Sequence, residues 1–179
     1  MKATGIVRRI DDLGRVVIPK EIRRTMRIRE GDPLEIYTDR DGEVIFKKYS
    51  PIGELSHFSV QYAETLNKTC GFPVVITDRD AIIATSGVPK KEFMDKPINS
   101  QIETFMESRQ TYIHQKGQKG LNVSDQIENY YVSTATPITT EGDVIGCVVV
   151  ITQSLSSPSD IEIKMTQTAA LFLGKQLES

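Results

Sequence analysis

Two kinds of hydrophobic patterning follow one another along this chain and change over near residue 50. Before that point the apolar positions fall in short β-branched clusters. TGIVRRI at 4–10 and RVVI at 15–18 read as two brief strands. Between them Asp11-Asp12-Leu13-Gly14 is turn chemistry, with Gly14 free to take positive φ. Pro19 ends the second strand and suits the start of a helix over 20–27, with Ile22 and Met26 inward and Arg23, Arg24 and Arg27 outward. Residues 34–38 alternate as a half-buried strand, and 43–49 return as its partner across the turn Asp39-Arg40-Asp41-Gly42.

Ser50-Pro51-Ile52-Gly53 reads as a breaker, after which the period lengthens. A helix is expected over 54–69, with Leu55, Phe58, Tyr62 and Leu66 on one stripe and a stop at Gly71 with Pro73 beyond. A hairpin over 74–77 and 81–86, a loop over 87–97, a helix over 99–108 and a short strand at 111–114 follow. QKGQKGLNVSD at 115–125 reads as a mobile loop, and its glycine spacing fits no phosphate-binding pattern. Strands over 130–137 and 144–153 join across Thr140-Glu141-Gly142-Asp143. Ser157 or Ser159 caps a last helix reaching Leu177, with Ser159 and Glu162 spaced for a capping box and Ile161, Met165, Ala169 and Phe172 as the expected core stripe. The element order predicts an α+β domain, an antiparallel sheet with helices packed on it. The expected organisation is a domain over 1–50, a linker over 51–53 and a second domain over 54–179.

Size and charge sharpen the picture of the first domain. About 45 residues, with no disulfide or metal to help, bury too little surface to be stable alone, so two chains are expected to build one core there. Seven of the chain's ten arginines lie at positions 8, 9, 15, 23, 24, 27 and 29. Residues 1–29 hold nine Lys/Arg against three acidic residues, a formal +6, while the whole chain is −2, which leaves −8 for the remainder. Charge alone fits a solvated face as well as a polyanion site. The prevalence of Arg, whose planar guanidinium pairs bidentately with phosphate and guanine edges, favours the polyanion.

Other chemistry is sparse. Cys70 and Cys147 sit far apart in apolar contexts, which suits small buried residues of a reduced protein. His57 and His114 have no Cys or paired carboxylate at ligand spacing, so neither a metal nor a cofactor is expected. There is no Ser/His/Asp order, carboxylate pair or nucleotide loop to carry catalysis. No segment has the length of a membrane span or of an export signal, so a cytoplasmic protein without membrane contact is expected.

The run TGIVRRIDDLGRVVIPKEIRRTMRIREGDPLEIYTDRDGEVIFKKY resembles the AbrB family of bacterial transition-state regulators over essentially their whole DNA-binding domain. The resemblance implies two chains interleaving their hairpins into one shared barrel. It also implies DNA contacts from Arg8, Arg15, Arg23 and Arg24, with Arg9 where a basic residue is usual; it assigns nothing to Arg27 or Arg29. VVITDRDAIIATSG and ATPITTEGDVIGCVVVITQ resemble the GAF fold, a small-molecule sensor. Together the two parts resemble transcription factors of endospore-forming bacteria. That implies activation and repression of sporulation genes, double-stranded DNA as partner, and a homotetramer formed through the first and last helices of the second domain. The sensor fold permits a small-molecule ligand that no residue here identifies. The rival reading is an antitoxin, since antitoxins also carry swapped-hairpin heads; those normally end in a disordered charged tail, whereas 54–179 reads as globular.

Overall fold

The computed structural model describes residues 4–54 and 56–178; Lys2 and Leu55 lie outside them. The chain divides into two compact units, one ending at Tyr49 and the other beginning at Ser50.

The first unit contains α1 (Lys20–Thr25) and an antiparallel hairpin of β1 (Leu34–Thr38) and β2 (Val44–Lys48). Two of its turns are built on one plan. Asp39 Oδ1 accepts from the backbone N–H groups of Asp41 (3.1 Å) and Glu43 (2.9 Å), and Gly42 takes φ 82°. Asp11 Oδ1 likewise accepts from Leu13 (3.0 Å) and Arg15 (2.8 Å), and Gly14 takes φ 76°. In both turns the Asp N–H also donates to the carbonyl four residues on. This is a hairpin loop in which a glycine at positive φ supplies the bulge. At 39–43 it closes the β1–β2 ladder. At 11–15 the loop is present but the ladder is not: residues 4–10 and 15–18, expected as strands, pair with no strand among the described residues.

The missing ladder is matched by a missing core. Among residues 4–49 only Pro19 is buried. Val7 is 87% exposed, Val17 71%, Ile36 62% and Val44 60%. The helix also stops earlier than its sequence suggests. Ile28 N–H donates to Arg23 O (2.7 Å) and Arg27 N–H to Arg24 O (3.3 Å), with Arg27 at φ 52°. These are the paired bonds of a Schellman motif, in which Arg27 occupies the left-handed position that glycine usually fills. Met26, expected to face inward, is 56% exposed. The helix end is tied to the hairpin by Lys48, whose Nζ donates to Arg27 O (2.9 Å) and lies 3.8 Å from the buried Asp32 carboxylate.

In the second unit a five-stranded antiparallel sheet comprises β3 (Val74–Asp78), β4 (Ile82–Ser86), β5 (Tyr112–Ile113), β6 (Tyr131–Thr140) and β7 (Asp143–Thr152). The spatial order is β4-β3-β7-β6-β5. The β6–β7 hairpin turns on Glu141 (φ 48°) and Gly142 (φ 89°), the paired positive φ of a type I′ turn. The central strands β3 and β7 are buried on both faces, which explains runs such as VVIT and GCVVVI. On one face α2 (Pro51–Glu54), α3 (Ser56–Cys70) and α6 (Asp160–Gln176) pack Ile52, Ala63, Leu66, Ala169, Ala170 and Leu173 against Val74, Ile76 and Val148. On the other, α4 (Lys90–Phe93), α5 (Ser100–Glu107) and the segment after β5 bring Phe93, Ile102, Met106 and Val123 against Val75, Val149 and Ile151.

Several local expectations change here. Residues 51–53, expected as a breaker and linker, instead lie within α2, and Ile52 is fully buried in the second unit's core. The 87–97 loop contains α4, whose Phe93 is fully buried. The 115–125 loop is anchored at its far end by buried Val123 and Ser124. On α3 the buried positions are Ser59, Ala63 and Leu66, while Phe58 is 47% exposed. On α6 they are Thr166, Ala169, Ala170, Leu173 and Gly174, while Ile161 is 63% exposed and Phe172 partly so. Both helices turn mainly small residues to the sheet, with one leucine each (Leu66 and Leu173), and leave Phe58 and Ile161 outside. Close approach is the reason: a Cβ on Gly174 would lie 2.2 Å from Thr139 O. Tyr62 and Phe172 stack beside this interface, with ring centroids 5.2 Å apart.

Candidate nucleic-acid interface

The arginines singled out in the sequence lie on three pieces of the first unit. Arg8 and Arg9 lie on the segment before the Asp11 turn, Arg15 closes that turn, and Arg23 and Arg24 form the last turn of α1. Arg8, Arg9, Arg15 and Arg24 are exposed, and among the described residues Arg8, Arg9 and Arg24 have no ion-pair partner. Arg23 differs from the expectation. It is half-buried, and its Nε is buried without a hydrogen-bond acceptor among the described residues.

Arg15 is held. Its Nε donates to Asp11 Oδ2 at 2.8 Å, and its backbone N–H donates to Oδ1 of the same carboxylate. The Arg15 backbone N–H first, then its guanidinium, keeps the Asp11 carboxyl below its ordinary range. Asp11 therefore orients the arginine as well as forming the turn, a role that its reading as a turn residue did not include. The signal was available in the spacing: an Asp followed four residues on by Arg, across a glycine. Arg27, to which the sequence assigned nothing, has a structural position as the left-handed residue that terminates α1.

The second unit presents different chemistry. Burial drives the Cys147 thiol far above its ordinary range, which removes it from nucleophilic or redox chemistry at neutral pH. Among the described residues no cluster of His, Cys, Asp and Glu is arranged to hold a metal. No helix of the described residues is long and apolar enough to cross a membrane.

An arginine-rich head lacking a core of its own, followed by a five-stranded sheet faced by helices on both sides, defines a two-domain protein whose second domain has the GAF fold. The GAF domain of a phosphoenolpyruvate-protein phosphotransferase from Coxiella burnetii superposes with a TM-score of 0.56, over 69% of this chain and 82% of that one. At 14% identity this is a likeness of fold alone. A family profile described as stage V sporulation protein T C-terminal, transcription factor, matches residues 54–178. A second, described as antidote-toxin recognition MazE, bacterial antitoxin, matches residues 7–53. Stage V sporulation protein T of Bacillus subtilis (strain 168) is 52% identical over 99% of each chain. The transition state regulatory protein AbrB of the same organism is 65% identical over 51 residues, 28% of this chain and 52% of AbrB. The chain belongs to the stage V sporulation protein T family of transcription factors.

Proposed function

We propose that the chain regulates sporulation genes by binding double-stranded DNA through a dimeric arginine face made by residues 1–50, with Arg8, Arg9, Arg15, Arg23 and Arg24 as the contacts. The observation that carries this reading is the coincidence of two deficits in one unit. Residues 4–49 expose their apolar frame, and the same stretch concentrates the chain's arginines, of which Arg8, Arg9 and Arg24 are exposed. A second copy pairing its 4–10 and 15–18 segments with the first covers the frame and doubles the positive face. Among the described residues of the first unit no recognition helix of usual length is present, so DNA shape and bending contribute to specificity. Within this reading the second unit sets a homotetramer through the exposed side chains of α3 and α6, including Phe58, Ile161 and Phe172. It also responds to a small-molecule ligand by shifting how the heads are spaced, so that a given target is activated or repressed.

The test is fluorescence anisotropy of labelled duplex DNA across a salt series. The samples are the intact protein and a variant carrying Arg8→Ala, Arg15→Ala, Arg23→Ala and Arg24→Ala. If about six to eight of the dimer's arginines neutralise phosphates, log K falls with log salt at a slope of roughly −5 to −7, losing about three to four decades between 50 and 200 mM. A variant that is still folded and still binds as tightly removes the arginine face from the reading.

The match of residues 7–53 to an antitoxin profile favours one alternative, a toxin-binding protein with the same head. Against it stands the extensive apolar core of the second unit, where a toxin-wrapping tail would be disordered. Limited proteolysis leaving a stable fragment beginning near Ser50 argues against the antitoxin; digestion of that region to peptides argues for it.

A further inference from the structure

The second unit carries an open groove of about 540 Å³ at one end of its sheet, within the size range of small-molecule sites. Its walls include Phe72, Tyr130, Thr152, Ser154 and Glu162. Among the described residues Glu162 is the only charged one lining it, and no Lys or Arg does.

The state of that carboxylate is informative. Oε1 accepts from Ser133 Oγ (3.2 Å), and Oε2 accepts from the Ser159 backbone N–H (2.6 Å) and Ser159 Oγ (2.8 Å). An ionised carboxylate offers about four acceptor positions, so these three neutral donors leave about one unused and leave the charge without a cation. The nearby N-terminus of α6 does not invite an anion instead. Ser159 Oγ already caps the Glu162 N–H, and Asp160 and Glu162 place two negative charges in the first turn. The aromatic walls add to the same preference, since ring faces attract cations.

We propose that this groove binds a small organic cation, an amine or a quaternary ammonium, with Glu162 as counter-ion and Tyr130 and Phe72 as aromatic walls. The proposal rests on the ligand-sensing part of the function proposed above and gives it a site and a ligand class. It also gives the signal a route. Glu162 joins the groove to β6 through Ser133 and to the start of α6 through Ser159, and α6 carries the exposed side chains assigned to chain pairing.

The experiment is titration calorimetry on the full-length protein with choline chloride and with 1,4-diaminobutane. The comparator is 3,3-dimethyl-1-butanol, which replaces choline's charged nitrogen by carbon. The expected result is saturable binding of at least one cation with a Kd on the order of 1 mM or tighter. Binding of that cation is expected to weaken at least ~10-fold in Glu162→Gln, about 1.4 kcal/mol, and several-fold in Tyr130→Leu. If choline is the cation bound, the neutral comparator is also expected to bind at least ~10-fold more weakly. Glutamine keeps the capping-box geometry, so Glu162→Gln should fold, and Ser159→Ala, which weakens the cap but keeps the carboxylate, should still bind. Failure of both cations to saturate, equal binding of choline and its neutral comparator, or an unaffected Glu162→Gln variant overturns the proposal. Duplex-DNA anisotropy with and without the saturating cation separates the two readings. Cation binding with unchanged DNA affinity retires sensing and leaves the site. No cation binding retires the site and leaves sensing to another ligand.

Discussion

The two units solve the problem of burying a core in opposite ways. From Ser50 onward, strands β3 and β7 are covered on both faces and fully buried side chains such as Ile76, Phe93, Val149 and Leu173 form two continuous clusters. Up to Tyr49, side chains of the same kinds (Val7, Val17, Ile36, Val44) stand largely in solvent. Composition does not separate the two, since each has its β-branched strands and turn glycines. What differs is whether the partner surface is encoded in the same chain. A unit of ~50 residues lies close to the limit at which one chain buries enough apolar area, which is why a second copy is proposed to complete the first unit.

That contrast is most exposed to a charge placed on the head's outward apolar frame. At a truly solvent-facing position a substitution costs within about 0.5 kcal/mol. Val44→Asp is instead expected to cost ~2–5 kcal/mol, the range for losing a buried aliphatic. Head amide signals in NMR should collapse toward unfolded positions while those of residues 50–178 stay in place. An unchanged head spectrum would show that the first unit stands alone and would erase the contrast. Leu173→Ala makes the reciprocal test. It should destabilise the second unit by about 2–5 kcal/mol in urea unfolding, leaving the salt slope of DNA binding unaltered. A shift in that slope would mean that the units are not energetically separate.

The smallest effect concerns the Asp11 turn. A carboxyl whose folded pKa is depressed adds stability above its unfolded value, and that stability is lost as pH falls through the folded value. The window therefore lies below pH 3.8, the ordinary value from which Asp11 is lowered. Carbon-detected titration should show Asp11 ionising below the ordinary aspartate range, and Arg15→Ala, which removes the guanidinium but keeps the backbone N–H, should move it part of the way back. An Asp11 titration that Arg15→Ala leaves unmoved would mean that the side-chain clasp does not persist in solution.

Much of this was legible in the residues themselves, and the failures have a common cause. The capping box at Ser159 and Glu162 and the turn at Glu141-Gly142 follow from chemistry within a few positions, and the structure has both. The helix faces of α3 and α6 do not follow from an apolar count. Leu66 and Ala169 of the expected stripes are buried, but Phe58, Ile161 and Phe172 are not; the sheet instead takes Ser59, Ala63, Ala170 and Gly174 beside Leu66 and Leu173, and at Gly174 the Thr139 carbonyl leaves no room for a side chain. Small residues recurring every three or four positions were the better signal. The unpaired 4–10 and 15–18 segments are a different failure. Their β-branched clusters suit strands, but a ladder needs two strands, and the residues of one segment do not say what pairs with it. Arg23 and Arg27 show a third limit. Their type suggested free charge, whereas burial of the Arg23 Nε and the left-handed backbone of Arg27 depend on how α1 ends.

On the proposal that Arg15 contacts DNA, the Asp11–Arg15 clasp also bears on how quickly and how selectively a phosphate is captured. A free arginine side chain has ~2 kcal/mol of rotamer entropy to lose on capture. Arg15 has already given up part of that freedom to Asp11, with its Nε engaged at 2.8 Å. The ordering that a ligand must impose is correspondingly smaller, and the approach direction is set before contact. The same carboxylate competes for the guanidinium charge, so a weak or misaligned anion meets a partner already satisfied, while one that can share the fork bidentately gains from its orientation. The turn thus acts as a threshold on what the positive face will hold.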